Sequence, residues 1–272
     1  MSSEKNIFFH VGLGKTATTF LQYHAFPQIE NAQYIQRTRF KKSINIIKNS
    51  NAKNILVSRE FDQQLEREVK WFSQYYPNTT PIIVFRKHGS WMASQYRRFV
   101  KNGFPKNFKG LIDIENGNGY FTIADLDYMA KIEILKKYFT KEPIVLMYTQ
   151  IASDLEGFLN SIAQPMNAKF NMANINTSRK HTSYNEQQLK GVQAMGKVIN
   201  IEKKNVFGVK VLDKLRTLFI NIIRYSTLYV SKILPKSWFR NEPLINKDEL
   251  QAIDNFCAND WKKLVELSNQ TK

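Results

Sequence analysis

Cysteine is almost missing from this sequence. Cys257 stands alone, so no intrachain disulfide and no thiolate metal cluster can form. Its place in an apolar helical pattern fits a small buried thiol. Histidine is scarce too: His10, His24, His88 and His181 include no pair with the one-helix spacing of a zinc site. Eleven glycines and eight prolines in 272 residues leave no collagen-like or low-complexity stretch, and no repeat of solenoid period occurs. No apolar run reaches the ~18 residues of a membrane span, and no apolar signal core precedes a small-residue cleavage site. These absences predict a cytoplasmic protein, with peripheral contact at the inner face of the membrane left open.

Acidic residues are also few. Forty Lys and Arg against 23 Asp and Glu give a formal charge of +17, which attracts nucleotides, sulfated or phosphorylated glycans, nucleic acid or acidic lipid. Hydrophobic residues, at 43%, suffice for one large core. Short apolar runs at Ile7–Val11, Asn54–Ser58, Pro81–Arg86 and Pro143–Thr149, with a weaker one at Gln33–Gln36, alternate with helical patterns over Thr16–Phe26, Gln63–Tyr75, Ser90–Asn102 and Ile123–Phe139. Gly103 sits where the third helix would end. The alternation predicts a three-layer α/β/α fold around a central parallel sheet, with a helical C-terminal part and the whole of 1–272 in a single domain. Ligands of such sheets bind beyond the carboxyl ends of the strands.

The first strand–helix junction reads His10-Val11-Gly12-Leu13-Gly14-Lys15-Thr16-Ala17-Thr18-Thr19-Phe20-Leu21-Gln22. Two glycines, a mobile cation and three hydroxyls at a helix start make a phosphate cradle. A nucleoside-triphosphate loop would need a further glycine at Phe9, and no strand ends in an Asp placed for magnesium. The junction resembles the 5′-phosphosulfate loop of bacterial carbohydrate-type sulfotransferases, which use 3′-phosphoadenosine 5′-phosphosulfate (PAPS) and release PAP. Ala17 stands where that family usually has glycine. The position is expected to begin the helix, where alanine is tolerated.

Beyond the third strand, Arg86 and Ser94 form Arg-x₇-Ser-x-Tyr with Tyr96, similar to the family's 3′-phosphate motif; a guanidinium and a hydroxyl suit a phosphate dianion. Asn174-Ile175-Asn176-Thr177-Ser178-Arg179-Lys180-His181 resembles the late loop that closes over the nucleotide, which would engage Ser178 and Arg179; an exposed basic loop fits it equally. The resemblance runs from about Ile7 to Asn185. It implies cofactor contacts by Gly12, Gly14, Lys15, Thr16, Ala17, Thr18, Thr19, Arg86 and Ser94, with Lys15 also catalytic at the bridging oxygen and no metal required. Ser58-Arg59-Glu60 looks like the family's Ser-x-Glu segment and makes Glu60 the favoured base. Burial beside a cofactor would raise its pKa, with Arg59 and Lys15 opposing. Alternatively, Glu60 is a helix-entry acid stabilised by the dipole, and His88 is a weaker candidate base. The acceptor would offer a hydroxyl or amine, on a glycan or glycolipid.

Residues 203–240 carry nine Lys or Arg against Asp213 alone. Val211, Leu212, Leu215, Leu218, Phe219, Ile222, Ile223, Val230, Ile233 and Leu234 largely keep helical spacing. Two readings stay open: a core helix with a solvated face, or a surface for an anionic acceptor or lipid headgroups. Leu244–Leu267 reads as one terminal amphipathic helix. A kinase-like phosphoryl transferase and an inactive PAPS- or PAP-binding relative are the alternatives to a sulfotransferase. A nucleic-acid partner is not expected, because it would leave the phosphate cradle without a purpose.

Overall fold

The computed structural model describes residues 5–177, 184–201 and 207–270. β1 (Asn6–Gly12) leads to α1 (Thr18–Phe20), continued by a π turn (Leu21–Ala25) and a 3-10 turn (Phe26–Gln28). Then come β2 (Ile29–Glu30), β3 (Gln33–Ile35), α2 (Ser43–Lys48), β4 (Asn54–Ser58), α3 (Leu65–Ser73) and β5 (Thr79–Phe85). α4 (His88–Lys101), α5 (Tyr128–Tyr138), β6 (Ile144–Met147), α6 (Gln150–Ser153), α7 (Leu155–Ala163) and β7 (Lys169–Phe170) follow. The last helices are α8 (Glu186–Val198), α9 (Lys210–Ile233), α10 (Lys247–Phe256) and α11 (Ala258–Gln270).

The chain divides into two compact units, one of Met1–Lys87, Ala124–Ser178 and Cys257–Lys272, the other of His88–Ile123 and Arg179–Phe256. The first holds the five-stranded sheet, ordered β3-β4-β1-β5-β6 and parallel throughout, as expected. Its strands are apolar on both faces because both are covered. On one, Phe8, Leu56, Ile82, Val84 and Leu146 pack with Leu21 and Phe26 and with Phe158, Leu159 and Ile162 of α7. On the other, Phe9 lies among Phe40, Phe61 and Phe72, with ring centroids 4.6–6.1 Å away, and Phe85 packs on Tyr128 of α5 at 4.6 Å. The position a nucleoside-triphosphate loop would reserve for glycine is therefore filled by a core aromatic ring. From β4 the chain crosses over β1 to β5, so the sheet reverses direction at β1, and the loop leaving β1 occupies the switch point where such sheets bind ligands.

The second unit is helical. α4 ends at Gly103, whose φ of +95° and N–H donation to Val100 O close the helix as its sequence position implied. α8 starts in a capping box built by Asn185 and Gln188.

Three helical expectations change. Thr16–Phe26 is not one α-helix: regular helix covers Thr18–Phe20 alone before widening into the π turn, and Pro27 lies in the closing 3-10 turn. Within Ile123–Phe139, Asp127 accepts from Ala130 N–H at 2.7 Å and starts the α-helix afresh, leaving a 3-10 turn before it. Leu244–Leu267 is two helices parted at Cys257, where the chain passes between units: Ile253 is buried in the second, Leu264 and Ser268 in the first. Cys257 itself is buried, as its pattern implied.

Candidate functional site

The loop after β1 is shaped by its backbone. Gly12 has φ +120°, and a Cβ there would stand 2.9 Å from Phe61 N and 3.3 Å from the Glu60 Cα, so only glycine lets the loop lie against the segment following β4. Gly14 N–H donates to Asp62 Oδ1 at 3.0 Å, and Leu13 N–H to Val84 O at 3.3 Å. Lys15 and Ala17 are left-handed, with φ of +69° and +61°, and Thr16 between them is not. The sign of φ alternates over Lys15–Ala17, the backbone pattern from which anion nests are built. Here the expectation for Ala17 is corrected. The helix begins at Thr18, and Ala17 is a left-handed N-cap, a conformation costing an L-residue roughly 1–2 kcal/mol. That geometry accounts for glycine being usual there in the family the loop resembles.

The loop side chains divide. Thr16 is buried and donates to Leu13 O at 2.5 Å, so its hydroxyl braces the loop from within. Thr18 is buried, Thr19 exposed and Lys15 half-buried.

Arg86, just beyond β5, reaches this loop: Nη1 lies 3.4 Å from Lys15 O, a long hydrogen bond. Its guanidinium stacks over Tyr148 at 4.6 Å, and its carbonyl accepts from Tyr128 Oη at 2.9 Å. Burial lowers the Arg86 pKa, with Tyr148 and Tyr128 opposing. A partly desolvated, stacked guanidinium favours an anion more strongly than a hydrated one.

Glu60 lies beyond β4, half-buried. Oε1 pairs with Arg37 Nη1 at 3.0 Å, whereas Oε2 is buried and has no hydrogen-bond partner among the described residues. The cation paired with this carboxylate is Arg37, which the sequence expectation of Arg59 and Lys15 did not include. An unpaired buried carboxylate oxygen costs free energy unless a donor reaches it.

Behind the loop, His10 is wholly buried. Nδ1 lies 2.9 Å from Ser58 Oγ, which also accepts from Gln22 Nε2 at 3.0 Å, while His10 Nε2 has no hydrogen-bond partner among the described residues. Burial lowers the His10 pKa to about 3, so the ring is neutral and shapes the loop, in keeping with its place in the motif.

Gly12, Gly14, Lys15, Thr16, Ala17, Thr18, Thr19, Glu60 and Arg86 all belong to the first unit. Ser94 is half-buried in the second turn of α4 and belongs to the second, as does His88, buried in the first turn. Ser178, Arg179 and His181 lie outside the described residues. His24 stacks on Phe20 at 6.2 Å. Sequence reasoning missed Arg37, Asp62 and Tyr148. All three follow carboxyl ends of parallel strands, so the rule that singled out Arg86 and Glu60 pointed to them as well.

The fold is similar to that of a sulfotransferase of known crystal structure from Alicyclobacillus acidocaldarius, with a TM-score of 0.52 and 13% sequence identity over 71% of this chain and 92% of that one. No family model and no curated protein matches the sequence.

Two outcomes follow from the loop. Ala17→Gly relieves the left-handed penalty while giving back about 0.5–1 kcal/mol of unfolded-chain entropy, so stability in urea should rise by about 0.5–1 kcal/mol. A loss would contradict the conformation at residue 17. For His10, the folded pKa of about 3 lies below the unfolded value near 6.5. The unfolded chain therefore binds a proton first as pH falls. Its stability contribution is complete above about pH 6.5 and drains away down to about pH 3, by at most ~1.4 kcal/mol per unit. Urea unfolding across that range should give a flatter profile for His10→Asn than for the wild type; parallel profiles would assign the proton elsewhere.

Proposed function

We propose that this protein is a sulfotransferase that moves a sulfuryl group from PAPS to a hydroxyl or amine of a glycan or glycolipid. The observation that carries this reading is the approach of Arg86 to the nest-forming loop at Lys15, two cationic anchors for one nucleotide phosphorylated at both ends. The residues present suit such a cosubstrate. The nest and Lys15 would take the 5′-phosphosulfate, and Arg86, flattened on Tyr148, the 3′-phosphate, with Ser94, Ser178 and Arg179 assigned to the same end by the motif resemblance.

In the chemical step the Glu60 carboxylate would take the proton of the acceptor as its oxygen or nitrogen forms the new bond to sulfur. The bond from sulfur to the 5′-phosphate oxygen breaks, and the electron pair stays on that oxygen, which leaves as part of PAP. Lys15 would neutralise the charge growing on that bridging oxygen, and the loop N–H groups would hold the phosphate in line. Arg37 would hold the Glu60 carboxylate by Oε1. No metal is required by this scheme. We read 1–272 as one transferase domain acting in the cytoplasm.

PAP at ~100-fold over its dissociation constant should stabilise the protein by about 2.7 kcal/mol in thermal melting, and ATP with magnesium should not. Arg86→Ala should abolish the PAP effect. Equal stabilisation by ATP with magnesium would favour a phosphoryl transferase instead. With a turned-over acceptor in hand, Lys15→Ala should lower kcat roughly 10²–10³-fold and Glu60→Gln roughly 10²–10⁴-fold. PAP binding without turnover would mark a binding protein, and full activity of Glu60→Gln would remove Glu60 as the base.

A further inference from the structure

α9 packs on its unit through a narrow mixed stripe: Ile220 and Leu228 join Val192 and Ile201 in a small apolar cluster, and Arg224 and Ser231 are buried beside them. The residues it buries are Ile220, Arg224, Leu228 and Ser231. Arg224, 2% exposed, donates from Nε to Lys101 O at 3.1 Å and from Nη2 to Asn102 Oδ1 at 3.1 Å, satisfying groups at the carboxyl end of α4. Gln188 Nε2 donates to Leu228 O at 3.1 Å and Gln187 Nε2 to Ser231 O at 2.7 Å, tying α8 to the same side. A Cβ on Gly191 would collide with Ser231 Oγ, so the two helices meet through small residues. These bonds fix the rotation of α9 about its own axis.

The other side is apolar and bare. Val211, Leu215, Leu218, Phe219, Ile222 and Tyr229 are each 57–66% exposed, and at 100° per residue they share one face. Ile233, at 85%, and Trp238, at 72%, extend the surface past the last turn. Among the described residues the core-helix reading of 203–240 holds for one narrow stripe, where Ile220 and Leu228 face in with Arg224 and Ser231, while most of the apolar residues counted there face outward. So large an apolar surface on one element is a binding surface.

Its surroundings are basic. Lys210, Lys214 and Lys232 line one flank of the exposed face and Arg216 lies beyond the other, with Lys236 and Arg240 following the helix. Asp213 is the one acid among residues 207–240, and its carboxylate is engaged by Phe207 N–H at 3.0 Å. A second copy of a chain of charge +17 would bring these rims together as like charges. A polyanionic glycan would answer the charges and leave the aliphatic face in water. An acidic bilayer surface answers both, because apolar side chains enter the acyl boundary while Lys and Arg stay at the headgroups. Charges interrupt α9 too often for it to cross the membrane: among the described residues no helix is long and apolar enough to do so.

We propose that the outward face of α9 docks in the plane of an anionic lipid surface, with Val211, Leu215, Leu218, Phe219 and Ile222 in the acyl boundary and the flanking lysines at the headgroups. The full chain, about 36 Å of helix leading, would then lie against the membrane without spanning it. The inference rests on α9 alone and not on the sulfotransferase reading, since neither the nest nor Arg86 takes part.

The test is flotation of the full-length protein with vesicles of phosphatidylcholine alone and of phosphatidylcholine with phosphatidylglycerol. Binding to the anionic vesicles, weakened by salt, is expected, with little on the neutral ones. Leu215→Glu with Ile222→Glu should abolish it, and Lys214→Glu should weaken it about tenfold. All three residues are exposed, so melting temperature should be unchanged, as should any shift produced by PAP. Failure to float, equal binding to neutral vesicles, or undiminished binding by the double variant would overturn the proposal. So would a dimer in light scattering that the double variant dissociates while wild type ignores lipid; a second copy would then be the occupant.

Discussion

The loop after β1 keeps its shape because the segment leaving β4 presses against it. Gly12 lies where a side chain would strike the Phe61 backbone, and the Asp62 carboxylate holds the Gly14 N–H. The Thr16 hydroxyl ties the loop to Leu13 from inside. Left-handed conformations at two non-glycine residues persist only where neighbours over-determine them. Loosened from the β4 segment, Lys15 and Ala17 would relax to ordinary backbone, and the alternation of hands would go with them. The nest is thus a property of two strand ends side by side at the point where the sheet changes direction.

Burial divides the polar groups around that loop by task. His10, Ser58 and Gln22 sit behind it as a neutral network, and burial of the His10 ring keeps it uncharged. In front, Arg86 keeps its charge on the face of Tyr148, where partial desolvation strengthens its field. Glu60 has one oxygen committed to Arg37 and the other buried with no hydrogen-bond partner among the described residues.

The excess positive charge has a second location. On α9 the lysines border an apolar face held outward by hydrogen bonds on the opposite side. Rolling that face inward would strand Arg224 and the Gln187 and Gln188 amides without their acceptors, a cost several bonds deep. If both proposals hold, lipid-linked acceptors would be met by diffusion in two dimensions, which agrees with the glycolipid half of the acceptor proposal.

Composition and pattern alone determined a good deal. Continuous β-branched runs marked β4 and β5 within two residues of their observed limits, because a strand covered on both faces has no reason to alternate. The strand-end rule placed Arg86 just beyond β5 and Glu60 just beyond β4, where the fold has them. Other properties depend on which groups meet across the fold, and a linear pattern does not encode that. The bond from Gly14 N–H to Asp62 joins residues 48 apart in sequence. The identity of the cation on Glu60 follows from β3 lying beside β4. Above all, periodicity showed that α9 has an apolar face without saying which way it points. A period of 3.6 residues is the same for a helix turned inward or outward; the packing of Ile220 and Leu228 on Val192, with the hydrogen bonds that join α9 to the end of α4 and to α8, chose the second.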